Sequence, residues 1–154
     1  MKYFEDVRVG DVRAFGSYEV TREEVLEFAG KYDPQPFHLD DAAAAQTHFG
    51  RLSASGWHTC AMTMAMMVES MKAEKSAGLG SPGVDKLRWI RPVYPGDVLR
   101  CESEVLEKRR SKSRPEMGIF KVLHRTFNQH DDLVMEMTSN GLIRVRDPDA
   151  PIED

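Results

Sequence analysis

The chain has 154 residues, 30% of them charged, and carries a net charge of −4 at neutral pH. A single domain spanning 1–154 can close a core of that size without disulfides or metal, and the negative balance argues against a nucleic-acid partner. Cys60 and Cys101 stand in no redox or metal-binding spacing, the N-terminus turns acidic before any apolar run forms, and the longest apolar stretch, 61–68, is too short for a bilayer, so a cytoplasmic protein without a membrane partner is expected.

Val12, Ala14, Tyr18 and Val20 alternate loosely around Phe15-Gly16 and predict a first strand over 11–20. Thr21-Arg22-Glu23-Glu24 reads as a capping box, and Val25, Leu26, Phe28 and Ala29 supply one apolar face of a short helix ending near Gly30. The stretch from Tyr32 to Asp40 then holds Pro34 and Pro36, which keep the backbone out of a helix. Asp33 and His38 therefore fall on a stiff, irregular loop. A carboxylate beside an imidazole can move a proton near neutral pH; the plainer reading has Asp33 capping a turn and His38 packing on Phe37. Asp40-Asp41 offers an N-cap for a helix over 42–47.

The longest helix candidate covers 55–75. Its first half, 57–68, has no formal charge and sets Met62, Met64, Met66 and Met67 on several faces, which predicts burial all round, while 69–75 emerges into water. Ser55 suits the N-cap position. The unpaired N–H groups at the helix start could hold an oxyanion, and Gly56 would admit a carbonyl close to the backbone.

Gly78-Leu79-Gly80-Ser81-Pro82-Gly83 has the glycine spacing of a dinucleotide turn, but it follows a helix and precedes a strand, the reverse of that context, and reads as a linker. Strands are predicted over 84–91, 98–108, 117–128 and 133–146, broken at Pro95-Gly96 and at 129–132. The basic run 108–114 tops a hairpin, and the acidic, proline-containing stretch 147–154 reads as a frayed tail. An α+β domain, with a strongly curved antiparallel sheet of about five strands wrapped around the central buried helix, satisfies this pattern.

Phe28-Ala29, then Asp33, Pro36, His38, Leu39 and Asp40 resemble the signature of the MaoC-like dehydratases, which include the (R)-specific enoyl-CoA hydratases of the hot-dog superfamily. The resemblance continues to Gly56 and resumes over Arg91-Pro92-Val93-Tyr94-Pro95-Gly96-Asp97; Tyr32, Gln35 and Met64 stand where the family usually has Gly, Asn and Ser. It implies the hot-dog fold and a catalytic dyad of Asp33 and His38. The implied reaction is hydration of a trans-2-enoyl-CoA to an (R)-3-hydroxyacyl-CoA, or its reverse, with no cofactor beyond the coenzyme A of the substrate. A homodimer or a multiple of dimers, joined sheet edge to sheet edge, is implied as well.

In that frame Ser55, Gly56, Trp57 and Met64 are the expected oxyanion and substrate contacts. Arg51, Lys86, Arg88, Arg91, Arg109 and Arg110 compete for the coenzyme A phosphates. His38, His48 and His58 recur every ten residues, an interval that suits no metal site, and no metal is expected. His58 should either cap the buried helix or face a dimer partner, and Cys60 reads as an inert core thiol. Two alternatives share the scaffold: a thioesterase, whose carboxylate would have to be Glu69, and a non-catalytic acyl-CoA-binding module.

Overall fold

The computed structural model describes residues 1–152. Among these, five strands form one antiparallel sheet: β1 (Val12–Glu19), β2 (Gly83–Trp89), β3 (Val98–Arg110), β4 (Met117–Phe127) and β5 (Leu133–Arg144), in the spatial order β1-β3-β4-β5-β2. Three α-helices, α1 (Arg22–Tyr32), α2 (Asp41–Ala45) and α3 (Gly56–Ala73), fall between β1 and β2 in the chain. The hairpin-linked strands β3, β4 and β5 make the centre, and β1 and β2 close the edges.

Register slips at Phe15/Tyr18 in β1, Asp85/Arg88 in β2 and Val105/Glu107 in β3 bend the sheet around α3, because each extra residue sharpens the local twist. Gly16 occupies the β1 slip with φ of 85°, and a Cβ there would lie 2.6 Å from Met66 Sδ. Glycine at this point lets the helix lie against the strand.

The core sits between sheet and helix: Val20, Val25, Leu52, Met62, Met66, Leu99, Val134 and Met135 are all buried. Thr63 and Thr126 satisfy each other's hydroxyls at 2.8 Å inside it, as buried polar groups must. A smaller cluster of Val7, Ala77 and Ile143 seals the sheet end under Phe4.

Four local expectations change. Helix α1 runs on to Tyr32 rather than stopping near Gly30, because the breaker is Pro34, which holds Asp33 at φ −152° and ψ 66°. The capping box closes only halfway: Thr21 Oγ1 accepts the Glu24 N–H at 3.2 Å, while the Glu24 carboxylate turns away to Tyr18 and His58. Helix α3 is not buried all round. Thr59, Met62, Thr63 and Met66 face the sheet, but Trp57, Ala61, Met64 and Ala65 are exposed, Met64 by 46%, since one curved sheet covers only one side of a helix.

The stretch expected as a frayed tail crosses Arg110, whose guanidinium donates to the carbonyls of Pro148 and Ala150; Glu153 and Asp154 lie outside the described residues.

Candidate active site

The two prolines shape the loop after α1. Asp33 is the C-cap of α1, Gln35 is extended, and Pro36 starts a single 3-10 turn that ends at His38. Proline suits that first position because its missing N–H would be unpaired there anyway. The turn presses the His38 ring into the protein, edge-on to Phe37.

A buried segment, Leu52-Ser53-Ala54, passes beneath the turn and leads into α3. It is held by Ala54 N–H donating to the Val93 carbonyl at 2.8 Å, and the Tyr94 hydroxyl donates to the Phe49 carbonyl at 2.7 Å. The loop 91–97 thus fixes the Ser53 carbonyl, which lies 2.7 Å from His38 Nδ1. A carbonyl only accepts, so Nδ1 carries the proton. In the neutral ring Nε2 is then a free lone pair.

That lone pair faces Asp33, with Nε2 3.5 Å from Oδ2. The carboxylate is itself held: Gln35 Nε2 donates to Oδ1 and Ser55 Oγ donates to Oδ2, each at 2.7 Å. Burial pushes the Asp33 carboxyl up, but the hydrogen bonds from Ser55 and Gln35, with the charge of the His38 ring whenever it is protonated, bring it below the usual carboxylate range. Two acceptors 3.5 Å apart cannot bond to each other. One water can donate one proton to each.

Ser55 joins this pair to the start of α3. Its Oγ also accepts the Trp57 N–H at 3.2 Å, and the Gly56 N–H has no partner among the described residues. The close approach that Gly56 admits is made by the Trp89 indole, whose Nε1–H donates to the Gly56 carbonyl at 2.9 Å. A Cβ on Gly56 would stand 2.5 Å from Trp89 Cε2. Trp57 packs on Trp89 edge to face, 5.1 Å between centroids.

Asp33, His38, Ser55 and Gly56 therefore come together, and Met64 does not join them. It lies eight residues up α3, about 12 Å along the axis, on the wall of an 800 Å³ groove shared with Tyr18, Ala61 and Val68. The phosphate candidates are scattered. Arg51 stacks over the Tyr94 ring at 4.0 Å. Lys86, Arg88 and Arg91 are exposed on and after β2, Arg109 lines a 390 Å³ cavity with Lys108 and Lys121, and Arg110 is taken up by the chain's own carbonyls.

Sequence reasoning missed Gln35 as a carboxylate ligand, although its place two residues after Asp33 permits such a return. It missed Ser53, whose carbonyl is 2.7 Å and whose hydroxyl is 3.4 Å from His38 Nδ1, and Trp89. His58 neither caps α3 nor faces outward: it is 3% exposed, stacked on Phe28 at 4.6 Å. Cys60 is half-buried with its sulfur 3.5 Å from that of Met135, and burial pushes its thiol up, away from the nucleophilic thiolate.

A family model for a MaoC like domain matches residues 6–126. The solved structure of a MaoC-like dehydratase from Rhodospirillum rubrum superposes with a TM-score of 0.87 at 38% identity, over 96% of this chain and 99% of that one. YdeM of Bacillus subtilis, an uncharacterised protein, is 32% identical over 140 residues, 91% of this chain and 97% of its own. The 3-hydroxybutyryl-CoA dehydratase of Methylorubrum extorquens is 31% identical over 107 residues, 68% of this chain and 64% of that enzyme. This chain spans 64% or less of the length of each of three CoA hydratases or dehydratases that it matches.

Proposed function

Because this chain belongs to the MaoC-like domain family and has its hot-dog fold, we propose that it is a hydro-lyase that adds water to a trans-2-enoyl-CoA, or removes it from the (R)-3-hydroxyacyl-CoA. The observation that carries this reading is the lone pair of His38 Nε2, 3.5 Å from a hydrogen-bonded carboxylate. A CoA thioester as substrate is supported by the names of the relatives.

In the hydration direction one water donates to His38 Nε2 and to Asp33 Oδ2. His38 takes a proton as the water oxygen bonds to the β-carbon, and the π electrons move toward the thioester oxygen. The N–H groups at the start of α3, Gly56 foremost, stabilise the enolate. A proton then returns to the α-carbon on the same face, so the sum is one water across one double bond, with nothing oxidised. Asp33 orients the water and steadies the imidazolium that forms.

Loss of enoyl absorbance over a series of acyl lengths, with product chirality read out, tests the proposal. His38→Ala and Asp33→Asn should each lower kcat by roughly 10²- to 10⁴-fold, and wild-type rates in either would refute it. The thioesterase alternative needs Glu69 at the thioester carbon. That residue lies on the groove, about 20 Å along the helix axis from Gly56, and release of free thiol in the same assay would be its mark. Tight binding without turnover would mark a binding module.

A further inference from the structure

A second set of polar groups, outside the hydration chemistry, meets the first turn of α3. His58 Nε2 donates to Glu24 Oε1 at 3.1 Å, and the Tyr18 hydroxyl of β1 donates to the same oxygen. The tyrosine's hydrogen bond, against the opposing effect of burial, holds the Glu24 carboxyl below its usual range, so it acts as an acceptor.

His58 and Ser55 are three residues apart and share one face of α3. That face meets α1 at two points: Ser55 holds Asp33 at the C-cap of α1, and His58 holds Glu24 in its first turn. The Phe28 and His58 rings lie flat against each other between them, at 7°. A helix tied at one point can pivot about it. Ties near both ends remove that freedom: with the Ser55 tie alone α1 would turn about Asp33, and the carboxylate at the pivot would turn with it.

Packing alone would not choose a histidine at this position. His58 Nδ1 is buried with no hydrogen-bond partner among the described residues, and an unmet buried polar atom is destabilising. Phenylalanine would keep the ring stack and remove the orphan atom. Glu24, with a side chain 43% exposed, does not need His58 for solvation.

We propose that His58 and Glu24 are positioning residues, which set the angle of α1 on α3 and thereby hold the Asp33 carboxylate in its orientation toward His38. In its kinetic form the proposal rests on the hydratase reading above.

The test compares His58→Phe, which keeps the stack and loses the tie, with His58→Gln, whose amide N–H can restore it. Steady-state kinetics on enoyl-CoA, thermal unfolding and NMR of the His38 ring are followed together. His58→Phe should lower kcat about 10- to 100-fold with KM within about twofold and Tm unchanged or raised, and His58→Gln should recover most of kcat. Wild-type kcat in His58→Phe would overturn the proposal, as would a loss of kcat that tracks a fall in Tm and is not rescued by Gln. If the wild type turns over no enoyl-CoA, the hydratase reading falls and the NMR decides the clamp. His38 ring signals displaced in His58→Phe and restored in His58→Gln uphold it, and unmoved signals refute it.

Discussion

At Asp33 the two carboxylate oxygens answer to different masters: Oδ1 to Gln35, Oδ2 to Ser55 and the imidazole. Removing Gln35 strips a donor that stabilises the ionised form, so Gln35→Ala should raise the Asp33 carboxyl. An NMR titration of the Asp33 carboxyl carbon should then show its midpoint at higher pH than in the wild type, and an unmoved midpoint would refute the part given to Gln35. At Gly56 the constraint is steric. Gly56→Ala drives a methyl into the Trp89 indole and should cost roughly 1–3 kcal/mol, read by denaturant unfolding, with Trp89→Leu in the same chain relieving most of the loss. In the sequence the proline pair placed Asp33 and His38 on one stiff loop, and the resemblance to the MaoC-like signature singled them out as a dyad. The ring tautomer was invisible there, because it depends on a backbone carbonyl fifteen residues away.

Among the elements, the central hairpins carry a titrating group with no part in the proposed chemistry. His124 on β4 is bracketed by Ser103 Oγ of β3, 2.7 Å from Nδ1, and Ser139 Oγ of β5, 2.8 Å from Nε2. Hydroxyls serve either tautomer of a neutral ring, and burial pushes the imidazole down from 6.5 to about 4. Between those two values the unfolded chain binds a proton that the native state refuses, so stability falls as pH drops through the window and is untouched by this group above it. The loss should reach about 3 kcal/mol by pH 4. His124→Gln should lose about 2–3 kcal/mol less than wild type between pH 7 and 4.5 in chemical denaturation; equal losses would place the acid sensitivity elsewhere. Strand periodicity predicted where these elements lie, but not that three strands meet around one histidine, which is a matter of register.

For the whole molecule the outer side of α3 is the face that matters for assembly. Trp57, Ala61, Met64 and Ala65 on the helix, with Val84, Trp89 and Ile90 on and after the edge strand β2, leave apolar surface bare in the protomer, and an unpaired edge invites another strand. We expect a second copy of the chain to take this face. Sedimentation should give a dimer, Ala61→Glu and Val84→Glu should each shift it toward monomer, and a monomeric wild type would sink the expectation. Met64→Phe, which narrows the groove, should move the preference toward shorter acyl chains in the turnover series; an unchanged profile would take the groove out of substrate binding. By itself the sequence determined the number of strands and their succession along the chain, the long helix with its uncharged first half, and the proline-held loop that carries an acid and an imidazole, because periodicity, prolines and caps act over a few residues. Only the tertiary structure decided which face of α3 is covered, that Arg110 is taken up by the chain's own carbonyls, and that Glu24 leaves its cap to meet His58. Those outcomes depend on distant segments competing for the same contacts, and no local pattern records which of them wins.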